Sequence, residues 1–302
     1  MTEDLPLWAG EVVETAAARS VQRGVLRCLT TERDAGIEYY RSIGGAHMHE
    51  RAAVSFAMTA LDTVVYREYL SALRPPSLDA LIVDVGGGDG RNAWPWLEWG
   101  YKRVVVIDPI ISALDRFRSR VAEQRPEWLN NLLLIEANAR RIPLVAGCAA
   151  RVQAIEALYY LNEAYEDGLR ECARVLSDSG QLLVSERDYE GGLLMSLLYG
   201  SLEECLAQAE SRDVWDGTAG LRVRSRCFTA DELDGLLTRN KLRIVSHRGI
   251  SALSLVLGYL RSAGKITNED EARIDDVHGL LRKLGPTGSM RRCHVVVAEK
   301  NL

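Results

Sequence analysis

A short stretch of this chain has the residue types and spacing to hold a ligand. In Leu81-Ile-Val-Asp-Val-Gly-Gly-Gly-Asp-Gly90 an apolar run ends in glycines. Gly86, Gly88 and Gly90 let the backbone turn sharply without Cβ clashes, so a ligand can approach the main chain. Asp108 closes a second apolar run, Val104-Val-Val-Ile-Asp108, where a carboxylate can accept both hydroxyls of a ribose. Together they read as a cradle for a nucleotide cofactor. Two imidazoles, His47 and His49, lie in a segment rich in glycines and aromatics, Tyr39 to Arg51. A neutral imidazole takes a proton from a hydroxyl or amine, so either could serve as general base. The plainer alternative is a turn and helix start with both rings bonded to backbone. No further ligand cluster accompanies them, and no metal is expected.

These residues need elements to position them. Leu81 to Val85 and Val104 to Asp108 are apolar enough to be buried on both faces of a parallel sheet. Asn92 to Glu98 opens a helix whose early turn tolerates Pro95, with its amides toward the glycine loop. Trp94, Trp96 and Trp99 are expected to pack around that helix. From His49 to Leu73 apolar residues recur at helical spacing, which predicts a helix with one buried face. Thr229 with Glu232 three residues on is a capping box, predicting a helix to about Asn240. His247 ends one expected strand and His294 begins another, where sheet packing is the simpler role. Asp188 and Tyr189 follow the strand Gly180 to Glu186, at a ligand-binding sheet edge or on a surface loop.

The glycine register separates two cofactors. A dinucleotide site wants G-x-G-x-x-G/A directly after the strand. Counted from Gly86 the third small position falls on Arg91; counted from Gly88 it falls on Ala93, but two residues late. The pattern D-x-G-x-G-x-G, met by Asp84, Gly86, Gly88 and Gly90, instead resembles the first motif of class I S-adenosylmethionine-dependent methyltransferases. Asn131 to Glu136 resembles the third strand of that family, and Ala137-Asn-Ala-Arg-Arg-Ile-Pro-Leu144 resembles its G-D-A-x-x-L-P segment, with Asn138 in place of the usual Asp. Arg151 to Leu161 resembles the fourth strand and the loop facing the methyl donor. Gly180 to Glu186 resembles the fifth strand, and Lys241 to His247 with Cys293 to Glu299 resembles the last two.

The resemblance implies an α/β fold: a doubly wound, mostly parallel, Rossmann-like sheet of seven strands with an antiparallel edge strand, plus a helical N-terminal cap and inserted lid segments. The expected organisation is a cap over residues 1–78 and a methyltransferase domain over 79–302, with insertions at 187–227 and 250–290. The implied cofactor is S-adenosylmethionine. By position in the motifs, Asp84, Gly86, Gly87, Gly88, Asp108, Pro109, Ile110, Asn138, Ala139 and Glu156 would line it. Tyr159 and Tyr160 would stand near the reacting methyl, with Tyr159, His47 and His49 as catalytic candidates.

Global features bound the partners. The formal net charge is −5 across 302 residues, and no basic run exceeds a pair, which argues against clamping a nucleic-acid backbone. The six cysteines show no C-x-x-C pairing and read as reduced structural thiols. The N-terminal residues are acidic with no apolar signal core, and no apolar run reaches the length of a membrane span, so cytoplasmic residence without membrane attachment is expected. The function implied is methyl transfer to an oxygen or nitrogen of a small molecule such as a specialised metabolite. Three alternatives stay open: a peptide or RNA methyltransferase, a non-catalytic S-adenosylmethionine-binding partner, and, more distantly, an NAD-dependent enzyme. The sequence leaves the oligomeric state open, a homodimer included.

Overall fold

A computed structural model of the chain describes residues 5–14, 20–28, 35–42, 63–218, 221–265 and 291–301. In chain order it places helix α1 (Ala9–Val12), strands β1 (Ser20–Gln22) and β2 (Val25–Arg27), helix α2 (Ala35–Ser42) and a helix α3 over 63–72. Then come β3 (Leu81–Val85), α4 (Trp94–Glu98), β4 (Arg103–Asp108), α5 (Ile111–Gln124), β5 (Leu132–Glu136) and β6 (Ala149–Ile155). They are followed by α6 (Tyr165–Val175), β7 (Leu176–Arg187), α7 (Tyr189–Tyr199), α8 (Leu202–Ser211), the hairpin β8 (Asp213–Thr218) and β9 (Leu221–Arg226), and α9 (Ala230–Arg239). The described chain closes with β10 (Leu242–Ser251), α10 (Leu253–Ser262) and β11 (Arg291–Lys300).

The main sheet runs β1-β2-β5-β4-β3-β6-β7-β11-β10. The chain steps outward from β3 through β4 to β5, then returns to the other side of β3 for β6. Neighbouring crossovers therefore diverge at β3 and β6, which opens a crevice at their carboxyl ends. Every residue of β3 and β5 is buried, as expected of strands covered on both faces. Leu81, Val83 and Val85 face an apolar layer that includes Leu169 of α6 and Leu236 of α9. Ile82 faces the opposite layer, with Phe117 of α5, Trp96 of α4 and Leu70 of α3.

Two expectations need correction. The sheet has nine strands, because β1 and β2 add a hairpin beyond β5. Arg23 and Gly24 both take positive φ, 50° and 71°, the two-residue turn that matches strand twist. The segment 1–78 is therefore not a wholly helical cap, since Val25 to Arg27 pair in parallel with Leu134 to Glu136. The second correction concerns β11. It is antiparallel to β7 and to β10 and lies between them, one strand in from the edge. Burial explains the order. Cys293 to Ala298 are all buried, which suits an interior strand, whereas β10 alternates into solvent and takes the edge.

Other local expectations hold. The Thr229–Glu232 capping box is formed at α9, and Pro95 sits in the first turn of α4. The ring centroids of Trp96 and Trp99 lie 5.3 Å apart, edge to face. Residues 43–62 lie outside the described set, so the start of the helix expected from His49 is not described.

Candidate cofactor and acceptor site

The loop after β3 is built by glycines for three separate reasons. Gly86 (φ +71°) lies against Ala157, where any Cβ would collide with the alanine methyl. Gly90 (φ +80°) lies flat on the Phe117 ring. Gly88 (φ +54°) differs: a Cβ there would meet nothing nearer than Asp108 Oδ2 at 4.0 Å. The space above Gly88 is thus open for a ligand. The Gly86 amide donates to the Ile107 carbonyl at 2.7 Å, joining the loop to the end of β4.

Asp108 is buried, and its two oxygens accept from the amides of Gly88 and Ile110, each at 2.8 Å. Burial pushes its carboxyl up to about 6, against the pull of those two amides. Each oxygen keeps a lone pair for a further donor. Asp84, on the neighbouring strand β3, is buried at the base of the loop. Burial pushes it up to about 7, partly offset by Gln153 and Arg91, and its Oδ2 has no hydrogen-bond partner. Gln153 on β6 clamps this floor: its Oε1 accepts from Trp96 Nε1 at 2.8 Å, and its Nε2 donates to the Asn92 carbonyl at 3.1 Å.

The neighbouring loops complete the crevice. Asn138 Oδ1 accepts from the Arg140 amide at 3.0 Å, which orients the carboxamide and leaves its amide nitrogen for a ligand edge. Ala139 and Pro109 are half-buried beside it. Ile110 is buried against Ile37 and Ala113, with Tyr40 alongside, so α2 reaches the rim.

Glu156, directly after β6, takes the left-handed region at φ 54°. Its Oε1 accepts from Arg292 at 2.5 Å and from the Tyr66 hydroxyl at 2.9 Å, with Cys293 Sγ at 3.6 Å. Burial alone would raise its pKa, but Arg292 and Arg91 outweigh burial and hold it down at about 2. The Tyr66 hydroxyl also lies 2.6 Å from Ser185 Oγ on β7. Beyond Glu156 the rings of Tyr159 and Tyr160 lie 4.5 Å apart, and Tyr160 meets Tyr40 at 5.1 Å. Arg187 stacks over the Tyr159 ring at 4.8 Å and donates to its hydroxyl at 3.5 Å.

The sequence-level candidates are thus gathered at one sheet edge, with four exceptions, one of them Tyr189, whose hydroxyl donates to the Ala209 carbonyl at 2.9 Å. His47 and His49 lie outside the described residues. Asp188 is engaged elsewhere: its Oδ1 caps α7 by accepting from the Gly191 amide at 3.0 Å, and its Oδ2 lies 3.0 Å from His294 Nε2. It is neither a surface loop residue nor a ligand group of the crevice. Sequence reasoning missed Tyr66 and Arg292, which meet Glu156 across 90 and 136 residues, Ser185 beside Tyr66, and Gln153 beneath the glycine loop; none carries a local signal. Arg91 was visible only as the residue that spoils the dinucleotide register.

The cradle fits a bound adenosyl group: Gly88 is open above, Asp108 keeps free lone pairs, and Asp84 Oδ2 is a buried acceptor with nothing to accept. Residues 82–180 match the family described as Methyltransferase domain. No curated protein matches the chain. Among solved structures, the CcbJ methyltransferase from Streptomyces caelestis is similar at 16% identity, over 80% of this chain and 95% of that one, with a TM-score of 0.54. The geranyl diphosphate C-methyltransferase from Streptomyces coelicolor A3(2) is similar at 16% identity over 78% and 77%, TM-score 0.52. The glycopeptide N-methyltransferase MtfA, solved with S-adenosyl-L-methionine, is similar at 17% identity over 79% and 93%, TM-score 0.50. Such distant likenesses establish the fold. Residues 82–180 thus carry a match to a methyltransferase domain on a fold similar to that of S-adenosylmethionine-dependent methyltransferases.

Proposed function

We propose that this chain transfers the methyl group of S-adenosylmethionine to an oxygen or nitrogen of a small molecule, in the manner of specialised-metabolite enzymes. The observation that carries the reading is the contact of Gly86 with Ala157. It seats the glycine cradle directly beside the loop bearing Tyr159 and Tyr160, so cofactor and acceptor share one mouth. Segments outside the core sheet close over that mouth, since Tyr40 of α2 meets Tyr160 and Asn162 donates to the Arg224 carbonyl of β9 at 3.2 Å. An enclosed rim suits a small acceptor. The names of two structural neighbours, acting on a glycopeptide nitrogen and on geranyl diphosphate carbon, also support modest acceptors.

The residues divide the task. When bound, S-adenosylmethionine supplies an electrophilic sulfonium methyl. Gly86, Gly87 and Gly88 would hold the methionine portion, with Asp84 fixing the loop and Glu156 beside it. Asp108 would accept the ribose hydroxyls, Asn138 and Ala139 would meet the adenine edge, and Pro109 and Ile110 would lie against the ring. Tyr159, oriented by Arg187, would wall the acceptor, and His47 or His49 would take its proton. Alignment is most of the work, because near-attack geometry contributes on the order of 7–11 kcal/mol.

Calorimetric titration of the purified chain with S-adenosylhomocysteine, alongside NAD and NADP, tests the cofactor. Saturable binding of the adenosyl ligand alone is expected; dinucleotide binding, or none at all, would overturn the reading. A panel of hydroxyl and amine acceptors, scored for one added methyl, then tests the substrate class.

A further inference from the structure

Arg91 follows Gly90, the last glycine of the loop, and its guanidinium reaches Tyr66 and the Glu156 carboxylate just after β6. It lies 5.9 Å from the centre of the Tyr66 ring, and its Nη2 is 3.9 Å from Glu156 Oε2. Nη1 is buried with no hydrogen-bond partner. A buried guanidinium nitrogen without an acceptor forfeits its hydration for nothing, so such atoms call for an explanation.

Bracing of Glu156 does not supply one. That carboxylate already accepts from Arg292 and Tyr66, and 3.9 Å is beyond hydrogen-bond reach. Two guanidinium groups therefore face Glu156, and although Arg91 also lies within the field of the buried Asp84, its Nη1 bonds to neither carboxyl and is short of an acceptor. The shortfall lies where Glu156 and Ala157 meet Gly86, at the methionine end of the cradle and away from Asp108 and Asn138. Methionine brings a carboxylate to that end.

We infer that Arg91, through Nη1, binds the α-carboxylate of the methionine portion of S-adenosylmethionine. The inference rests on the methyltransferase reading above. It makes the departure at Arg91 from the dinucleotide register a specificity feature. The loop excludes a third small residue at the position where the chosen cofactor needs a cation.

The test compares two ligands on the full chain. S-adenosylhomocysteine keeps the amino-acid end; 5′-methylthioadenosine keeps adenosine and sulfur but lacks it. In Arg91→Met the affinity for S-adenosylhomocysteine should fall about 10- to 100-fold, the range of a charge-assisted hydrogen bond, while the affinity for 5′-methylthioadenosine stays within about twofold. Arg91→Lys should recover part of the loss. Retained methylthioadenosine binding also certifies that the variant is folded. If Arg91→Met melts early, Arg91→Gln carries the same comparison. Equal loss for both ligands, or no loss for either, overturns the inference. Failure of the unaltered chain to bind either ligand would instead overturn the cofactor reading beneath it.

Discussion

His247 and His294, on adjacent strands β10 and β11, are joined through their rings, with His247 Nε2 3.0 Å from His294 Nδ1. The outer ring nitrogen of His247 meets Asp234 Oδ1 at 2.7 Å. That of His294 meets Asp188 Oδ2 at 3.0 Å and the Phe228 carbonyl at 2.9 Å. Both outer nitrogens face acceptors. One contact between the rings and an acceptor at each outer nitrogen make a continuous chain from Asp234 to Asp188. The pair ties α9 to the capping residue of α7.

Protonation of His247 is resisted. Burial pushes the pKa of His247 below its ordinary value, against the pull of Asp234 and with His294 adding to the depression. A folded pKa below the unfolded one gives a contribution that is full above the unfolded value of 6.5 and lost as pH falls through the folded value. Urea unfolding of His247→Gln should therefore show a shallower acid-side loss of stability than the unaltered chain. Parallel acid limbs would refute it.

Glu186 predicts the opposite slope. It is fully buried on β7, its Oε1 accepts from the Tyr165 hydroxyl at 3.2 Å, and its Oε2 has no partner. Burial holds its pKa well above the usual carboxylate value. Its contribution is full at acid pH and lost as pH rises toward the folded pKa. Glu186→Gln should be the more stable protein at pH 8, with the gap closing toward pH 5 by at most about 1.4 kcal/mol per pH unit. Thermal unfolding at both pH values checks this, and a variant less stable at both would contradict it.

The role proposed for Asp108 makes cofactor affinity depend on pH. Its carboxyl titrates near 6, and only the ionised form has both oxygens free to accept ribose hydroxyls. S-adenosylhomocysteine affinity should be constant above pH 7 and fall by up to about tenfold per pH unit below 6. Asp108→Asn should bind weakly with a flat profile. A sloping profile in that variant would assign the titration elsewhere.

Gly86 and Gly88 separate fold from function. Alanine at either costs about 1–2 kcal/mol for the left-handed backbone. At Gly86 the new methyl also meets Ala157, whereas at Gly88 it enters open space. Gly86→Ala should lose both stability and ligand binding. Gly88→Ala should lose binding out of proportion to its small loss of stability, as read by urea unfolding beside ligand titration.

The central half of this architecture was legible because it depends on local rules. Leu81 to Val85 announces a strand buried on both faces, Asp84 and the glycines announce the loop, and Thr229 with Glu232 announces a helix start. The hairpin at Ser20 to Arg27 was hidden because each strand has three residues, too few to display a period. The Tyr66–Glu156–Arg292 cluster was hidden for another reason. Its members come from α3, the loop after β6 and β11, and only the packed sheet brings them together. Asp188 misled because position at a strand end marks ligand groups and helix caps alike.

The position of β11 bears on how the protein is made. It follows every other strand in sequence, yet it lies between β7 and β10 and brings Arg292 to Glu156. During synthesis β7 must wait with an open edge, and β10 has no partner to join. Long-range pairings of this kind slow folding and leave adhesive edges exposed meanwhile. A ribosome-bound chain still lacking those residues has its glycine loop but not the arginine that fixes Glu156. The contact between Arg292 and Glu156 thus forms only once β11 is in place, by which time β7 has lost its open edge.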